Sequence, residues 1–249
     1  MSVAVMISAA MARDVVFLHG FTHTGASWDP VVAALGERYR AFAPDIRGHG
    51  ASSELEPVTL PAVLGDLARL APERFTLVGY SMGGRIALHA ALAFGARIDR
   101  LVLIGASPGL GDAEERAARR ASDERLADEI ERSSIEAFAR RWAQTPVLAG
   151  QPPEVLAAVH ADRLRNQPSG LARALRGLGT GALSSLWDRL GGVRMPVALV
   201  VGQRDEKFGA IAAEMAVALP DAEVVRVPGA GHAVHLEAPD AVAAVIAGG

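Results

Sequence analysis

The chain has 249 residues, 50% hydrophobic and 21% charged, so a single domain of this size can bury a full core without metals or disulfides. It contains no cysteine, which excludes thiol chemistry and a disulfide framework. With a formal net charge of −3 and Lys207 as its only lysine, it offers no domain-wide basic face to nucleic acid, and no apolar run reaches the ~18 residues that span a bilayer.

Met1 to Ala12 are small and apolar with an Ala-x-Ala-like end, but they lack the charged n-region of a signal peptide. Arg13-Asp14 leads straight into an apolar run at Val15, so this stretch is read as carrying a first strand at 3–8, in a protein expected to remain cytoplasmic. Short apolar runs predict further strands near 14–19, 40–44, 75–79, 99–104, 197–201 and 223–227, with amphipathic helices between them and a last helix from Pro239. That alternation implies an α/β architecture, a mostly parallel central sheet with helices on both faces. Between Gly111 and Gly192 the strands stop. Residues rich in Ala, Arg, Glu and Leu take over with helical periodicity, broken at Gly150-Gln151-Pro152-Pro153 and Gln167-Pro168-Ser169-Gly170. We expect a helical cap over 111–192, inserted after the middle strands of a core formed by 1–110 and 193–249. No internal repeat or low-complexity segment interrupts this plan.

The apolar run Phe75 to Val78 is followed by Gly79-Tyr80-Ser81-Met82-Gly83-Gly84 and then by the periodic segment Ile86 to Phe94. This is the nucleophile-elbow pattern of the α/β-hydrolase fold. Glycines two residues either side of the serine fit a strand-to-helix turn too sharp for side chains, which strains Ser81 into exposure. The plainer reading of the same residues is a glycine-rich turn after a strand.

A serine hydroxyl needs a histidine to take its proton and an acid to orient that histidine. In this fold the order is serine, acid, histidine. Asp205 stands at the end of the buried run Val197 to Gly202 and fits the acid better than Glu206 beside it or Asp112 after the strand near Ile104. His232 ends the loop Pro228-Gly229-Ala230-Gly231 after another strand, a glycine-rich lead-in that His235 lacks. His89 and His160 lie in helical patterns, and His23 and His49 in glycine-bearing loops. The oxyanion hole is expected from two backbone N–H groups, those of Met82 and of Phe21 after the strand ending in His19-Gly20. No histidine spacing such as HExxH suggests a metal, and no cofactor is expected.

Arg85 follows Ser81 by four residues, on the same side of the first helical turns, where a cation opposes the helix macrodipole. It points either to an anionic ligand or to a nearby carboxylate partner. Further on, Arg116, Arg119, Arg120 and Arg125 mix with Glu114, Glu115, Asp123 and Glu124 in the manner of a solvated helix face. Composition singles out no substrate arginine there.

Over nearly its whole length the chain resembles the 2-succinyl-6-hydroxy-2,4-cyclohexadiene-1-carboxylate synthases of menaquinone biosynthesis, the MenH family. The similarity is carried by His19-Gly20-Phe21, by the elbow through Arg85, and by Ser107-Pro108-Gly109-Leu110 followed by Glu115-Arg116-Ala117-Ala118-Arg119. It continues in Trp142 before Thr145-Pro146, Arg163 before Asn166-Gln167-Pro168, Gly202-Gln203-Arg204-Asp205-Glu206-Lys207-Phe208, and Gly231-His232 through Pro239. The resemblance implies a lyase with a hydrolase's fold, in which serine and histidine remove a ring proton and pyruvate is eliminated. It implies that Ser81 is the base, activated by His232 and Asp205. It places the family's three carboxylate-binding arginines on Arg85, Arg119 and Arg163, and its site aromatics on Tyr80 and Trp142. The expected partner is a small anionic substrate, with monomer and homodimer both open.

One loop departs from that pattern. Asp45-Ile46-Arg47-Gly48-His49-Gly50 has Arg47 where the family usually has proline, and Asp-x-Arg-Gly-x-Gly is common among esterases. The alternative function is therefore a carboxylesterase or C–C bond hydrolase that uses the same triad through an acyl-serine.

Overall fold

In a computed structural model, which describes residues 12–145, 148 and 150–248, each apolar run from Val15 onward is a strand. The strand expected at 3–8 lies outside the described residues. Strands β1 (Arg13–Leu18), β2 (Tyr39–Phe42), β3 (Phe75–Tyr80), β4 (Ile98–Ile104), β5 (Val197–Gly202) and β6 (Ala222–Val227) form one sheet. Its order is β2-β1-β3-β4-β5-β6, and every neighbouring pair is parallel. Central β5 is buried at every position, whereas edge strands β2 and β6 are mostly half-exposed, as expected for a sheet covered on both faces.

The period of two along each strand divides the core in two. Val16, Leu18, Leu77, Leu101, Leu103 and Leu199 face one side, packing with α2 (Leu60–Leu70) and with α3 (Met82–Phe94). Val15, Phe17, Val78, Val102, Ile104 and Val200 face the other, against Trp28 and Val31 of the segment containing α1 (Asp29–Leu35). Between β4 and β5 the chain forms α4 (Ala113–Glu131), α5 (Ile135–Trp142), α6 (Pro153–Arg163) and α7 (Pro168–Leu178). Pro153 and Pro168, which break the helical pattern in the sequence, each open a helix, where proline's missing N–H has no acceptor to lose. Ala127, Ile130, Phe138, Leu171, Ala172 and Leu175 form a third, small apolar cluster within these helices. α8 (Glu206–Ala218), α9 (Val234–Glu237) and α10 (Pro239–Ala247) complete the chain, and among the described residues no helix is long and apolar enough to cross a membrane.

From β1 the chain steps to β2 on one side, then returns to β3 on the other. A crevice therefore opens at the C-terminal ends of β1 and β3, where Leu18 and Gly79 are register partners. His19-Gly20-Phe21 and Ser81 leave the sheet at that point.

Candidate active site

Ser81 lies at φ 51°, ψ −107°, a left-handed conformation that strains a non-glycine residue by about 1–3 kcal/mol. Its N–H donates to the Ile104 carbonyl at 2.9 Å. The flanking glycines are needed: a Cβ on Gly79 would fall 2.6 Å from the Gly83 carbonyl oxygen, and one on Gly83 2.2 Å from that of Leu18. Met82 opens α3, so its N–H belongs to the first turn, which has no acceptor within the helix.

His232 follows β6 and is buried. Its Nδ1–H donates to Asp205 Oδ2 at 2.6 Å, which leaves Nε2 free to accept from Ser81 Oγ at 3.2 Å. Asp205 is fixed on its other side, where Oδ1 accepts the Phe208 N–H at 3.3 Å as the cap of α8. Gly105, at φ 52° after β4, makes room for the imidazole, because a Cβ there would meet His232 Cε1 at 2.8 Å. The competitors are elsewhere. Glu206 is exposed, and Asp112 caps α4 through the Glu115 N–H. His235 is fully buried between Trp28 and Tyr80, neither ring nitrogen has a hydrogen-bond partner, and burial holds its pKa well below the ordinary imidazole range. His89 sits on α3 and His160 on α6. Burial, ahead of the nearby Arg85, lowers the His89 pKa to about 4.

Ser81, Met82, His232 and Phe21 open onto a cavity of about 300 Å³, roofed by side chains of α4, α5 and α7. A larger hollow of about 450 Å³ lies at the N-terminal ends of β1, β3 and β4 and has no serine or histidine on its walls. Arg85, Arg119 and Trp142 line the smaller cavity, as does Lys207. Arg85 is 7% exposed, and among the described residues no carboxylate lies within ion-pair distance of it; its Nε has no partner. Burial, with Arg119 adding to it, lowers its pKa to about 10, so it stays a cation at neutral pH. Arg119 is steadied by Asp123, which accepts from its Nε at 2.7 Å. Trp142 meets Phe21 edge-on, with ring centroids 5.4 Å apart.

Tyr80 and Arg163 are not on the cavity wall. Tyr80 is buried against His232 and His235, and burial raises its phenol pKa. Arg163 is 1% exposed, with Nε donating to Thr22 Oγ1 at 3.3 Å, one terminal nitrogen unpartnered, and a pKa lowered to about 10 mainly by burial. Sequence reasoning missed Gly105, the cavity position of Lys207, and the polar contacts from Asp162 and Asn166 to the segment after His19. For Lys207 a signal existed, since it is the only lysine in the chain and sits two residues after Asp205. Among the described residues no group of three His, Asp or Glu could hold a metal ion.

A profile of the alpha/beta hydrolase family matches residues 15–245. The chain is 37% identical over 238 residues to a Bacillus subtilis (strain 168) protein provisionally named 2-succinyl-6-hydroxy-2,4-cyclohexadiene-1-carboxylate synthase, covering 92% of this chain and 86% of that one. It is 35% identical over 236 residues to the synthase of that name from Enterobacter sp. (strain 638), covering 93% and 89%. The solved structure of MenH from S. aureus superposes with a TM-score of 0.89 at 31% identity, over 96% of this chain and 93% of that one.

Proposed function

We propose, from the premise that this chain belongs to the alpha/beta hydrolase family and within it to the 2-succinyl-6-hydroxy-2,4-cyclohexadiene-1-carboxylate synthases, that it is a lyase of menaquinone biosynthesis. It eliminates pyruvate from 2-succinyl-5-enolpyruvyl-6-hydroxy-3-cyclohexene-1-carboxylate. His232, oriented by Asp205, takes the Ser81 proton as Ser81 Oγ removes a proton from the substrate ring; the electron pair left on the ring moves to form the new double bond as the enolpyruvyl C–O bond breaks, and the proton on His232 passes to the departing enolpyruvate, which becomes pyruvate and restores neutral His232. Negative charge that develops on the substrate faces the N–H groups of Met82 and Phe21. Proton transfer and elimination of this kind need no redox cofactor.

The observation that carries this reading is Arg85, a buried cation with no ion pair among the described residues, in the same cavity as Ser81 and His232. Burying an unpaired charge is costly unless something pairs with it, and an anionic substrate would. Arg119 takes a second carboxylate and Trp142 is the aromatic side of the cavity, while Arg163 and Tyr80, buried behind the wall, back the site without reaching the cavity. A substrate bearing several carboxylates suits several guanidinium forks, each able to bind bidentately. Residues 111–192 act as the cap that brings Arg119 and Trp142 to the site, and the expected location is the cytoplasm.

The test is pyruvate release from the enolpyruvyl substrate, followed with lactate dehydrogenase, with intact-protein mass spectrometry during turnover. The expected result is stoichiometric pyruvate and unmodified Ser81. An acyl-serine that accumulates on simple esters, with no pyruvate formed, would replace the lyase by a carboxylesterase.

A further inference from the structure

Among the described residues two non-glycine residues have positive φ, and they stand on either side of the crevice. One is Ser81; the other is Thr22, at φ 71°. The His23 N–H donates to the Gly20 carbonyl at 3.2 Å and closes a turn with Phe21 and Thr22 at its centre. Positive φ in the third position of such a turn ordinarily calls for glycine or asparagine, and a β-branched residue resists it. Thr22 holds it without help from its own side chain's preferences, so the restraint must come from outside the turn.

That restraint comes from the end of α6 and the residues just after it. Asn166 Nδ2–H donates to the Thr22 carbonyl at 2.9 Å, and its Oδ1 accepts the Gly50 N–H at 3.0 Å. Arg163 Nε donates to Thr22 Oγ1. Asp162 Oδ2 accepts the Thr24 N–H at 3.0 Å and His23 Nδ1–H at 3.2 Å, while its Oδ1 accepts the Thr24 hydroxyl. Thr22 and Asn166 are 0% and 1% exposed, so these bonds are made out of water, where an unmade one is expensive. Burial alone would raise the Asp162 pKa, but the His23 and Thr24 hydrogen bonds hold it down at about 2, so it is a full acceptor at neutral pH.

We infer that Asn166 and Asp162 are positioning residues for the oxyanion hole: Asn166 holds Thr22 in its left-handed conformation, Asp162 anchors His23 and Thr24 directly after it, and together they fix the orientation of the adjacent Phe21 backbone N–H. The inference rests on the reading of Ser81 as the reacting hydroxyl and Phe21 as an oxyanion donor. Bonds that merely anchored α6 to the core would bear on stability and not on the reactivity of Ser81.

A fluorophosphonate separates the two, because its P=O must sit in the oxyanion hole as Ser81 Oγ attacks phosphorus and fluoride leaves, and it has no carboxylate for the arginines. The labelling rate of Ser81 is read by mass spectrometry in the wild type, in Asn166→Asp, and in Asn166→Asp combined with Thr22→Gly. Asn166→Asp keeps the acceptor for Gly50 and loses the donor to Thr22. Labelling should slow about tenfold or more, short of the roughly 100- to 1000-fold that follows loss of an oxyanion donor, and kcat should fall with little change in KM. Adding Thr22→Gly should restore part of the rate, because glycine adopts positive φ without strain. Labelling at or above the wild-type rate in Asn166→Asp, or no recovery in the double variant, overturns the proposal. If Asn166→Asp melts below the assay temperature, Asp162→Asn, which keeps one acceptor for the Thr24 N–H, is read by the same criteria. A wild type that is not labelled at Ser81 overturns the triad reading and this inference with it; a labelled wild type with an unaffected Asn166→Asp overturns this inference alone.

Discussion

The two halves of the cavity are built by opposite means. The sheet half is a set of strained or crowded backbone positions, Ser81, Gly79, Gly83 and Gly105, embedded in two large apolar clusters. The helical half has a cluster of its own of only six buried apolar residues, joins the larger core through Ala174 and Leu178 of α7, and is further held by charge: Arg176 of α7 reaches Glu124, Asp128 and Glu131 of α4 at 2.6–2.7 Å, and Asp123 steadies Arg119. A scaffold of the first kind holds the reacting atoms through the backbone, and one of the second kind can be altered without disturbing them, except just after α6, where Asn166 holds Thr22. Under the proposed function, reactivity rests mainly with the sheet and substrate choice with the helices, the general division between a rigid fold and the site grafted on it.

The sharpest test of that division removes the reacting group. Ser81→Ala should lower turnover by about four orders of magnitude or more while leaving Tm and product affinity nearly unchanged, because the hydroxyl packs against nothing that holds the fold. His232→Ala should match it. His235→Ala should do the reverse, losing stability through the space left between Trp28 and Tyr80 while kcat stays within about tenfold of wild type. Equal losses of kcat at both histidines would show that the proton acceptor is not His232.

Arg85 belongs to the sheet half by position and, under the proposed function, to the substrate by chemistry. Arg85→Ala should cost ~2–5 kcal/mol in kcat/KM on the carboxylate substrate, since an anion is left unpaired in a desolvated site, and should spare a neutral ester. Arg85→Lys restores the charge without the fork and should recover only part of the loss. Arg119→Ala should cost less than Arg85→Ala, because its side chain is 45% exposed and water replaces much of what is lost. Equal losses on the neutral ester would make Arg85 a structural residue and break the comparison.

How far this division was legible in the sequence follows from the same physics. The strands and the elbow are governed by short-range rules, apolar runs and glycines at a fixed spacing, so Ser81, Asp205 and His232 could be named from their places at strand ends. Among them only Gly105 escaped, because it needs the approach of His232 from a distant loop to reveal what its missing Cβ is for. In the helical half, α4 buries just Asp123, Ala127 and Ile130 of its 19 residues, so periodicity says little about which arginine faces the site. Arg119 and Trp142 came from resemblance, and their presence on the cavity wall depends on tertiary packing that no local pattern encodes. The contacts from Asp162 and Asn166 to residues 22–24 span 138 to 144 residues of sequence and left no local signal.

Acid should loosen the sheet half first. His19 and His49 are fully buried beside each other, and burial lowers their pKa values to about 4 and about 3, far below the ordinary 6.5. The folded state therefore keeps them neutral while the unfolded chain takes up protons, so the stability they contribute is present above pH 6.5 and is lost as pH falls from there towards about 4. Together they should remove about 2–3 kcal/mol between about pH 7.5 and about pH 5.5, measured as unfolding free energies in urea. The Asp162 contribution, with its pKa held near 2, persists above the ordinary carboxylate value and fades only in stronger acid. His49→Asn should flatten the slope between those two pH values; an unchanged slope would mean that His49 is not kept neutral by the fold.

The smallest expected effects sharpen the comparison most within the helical half itself. Arg120 and Arg125 are on α4 with Arg119, carry the same charge, and are exposed to solvent, where neither lines the cavity. If the helices contributed only a diffuse positive field, removing any of the three would weaken binding of an anionic substrate by a similar amount, and the loss would vanish in salt. If Arg119 acts through direct contact, Arg120→Ala and Arg125→Ala should each change kcat/KM by under about 0.5 kcal/mol, while Arg119→Ala keeps most of its effect at high ionic strength. Measuring kcat/KM for the three alanine variants at low and high salt decides between these. Three comparable losses that salt abolishes would move substrate recognition from a single side chain to the helix as a whole, and the cavity's helical half would then be a charged surface and not a binding site.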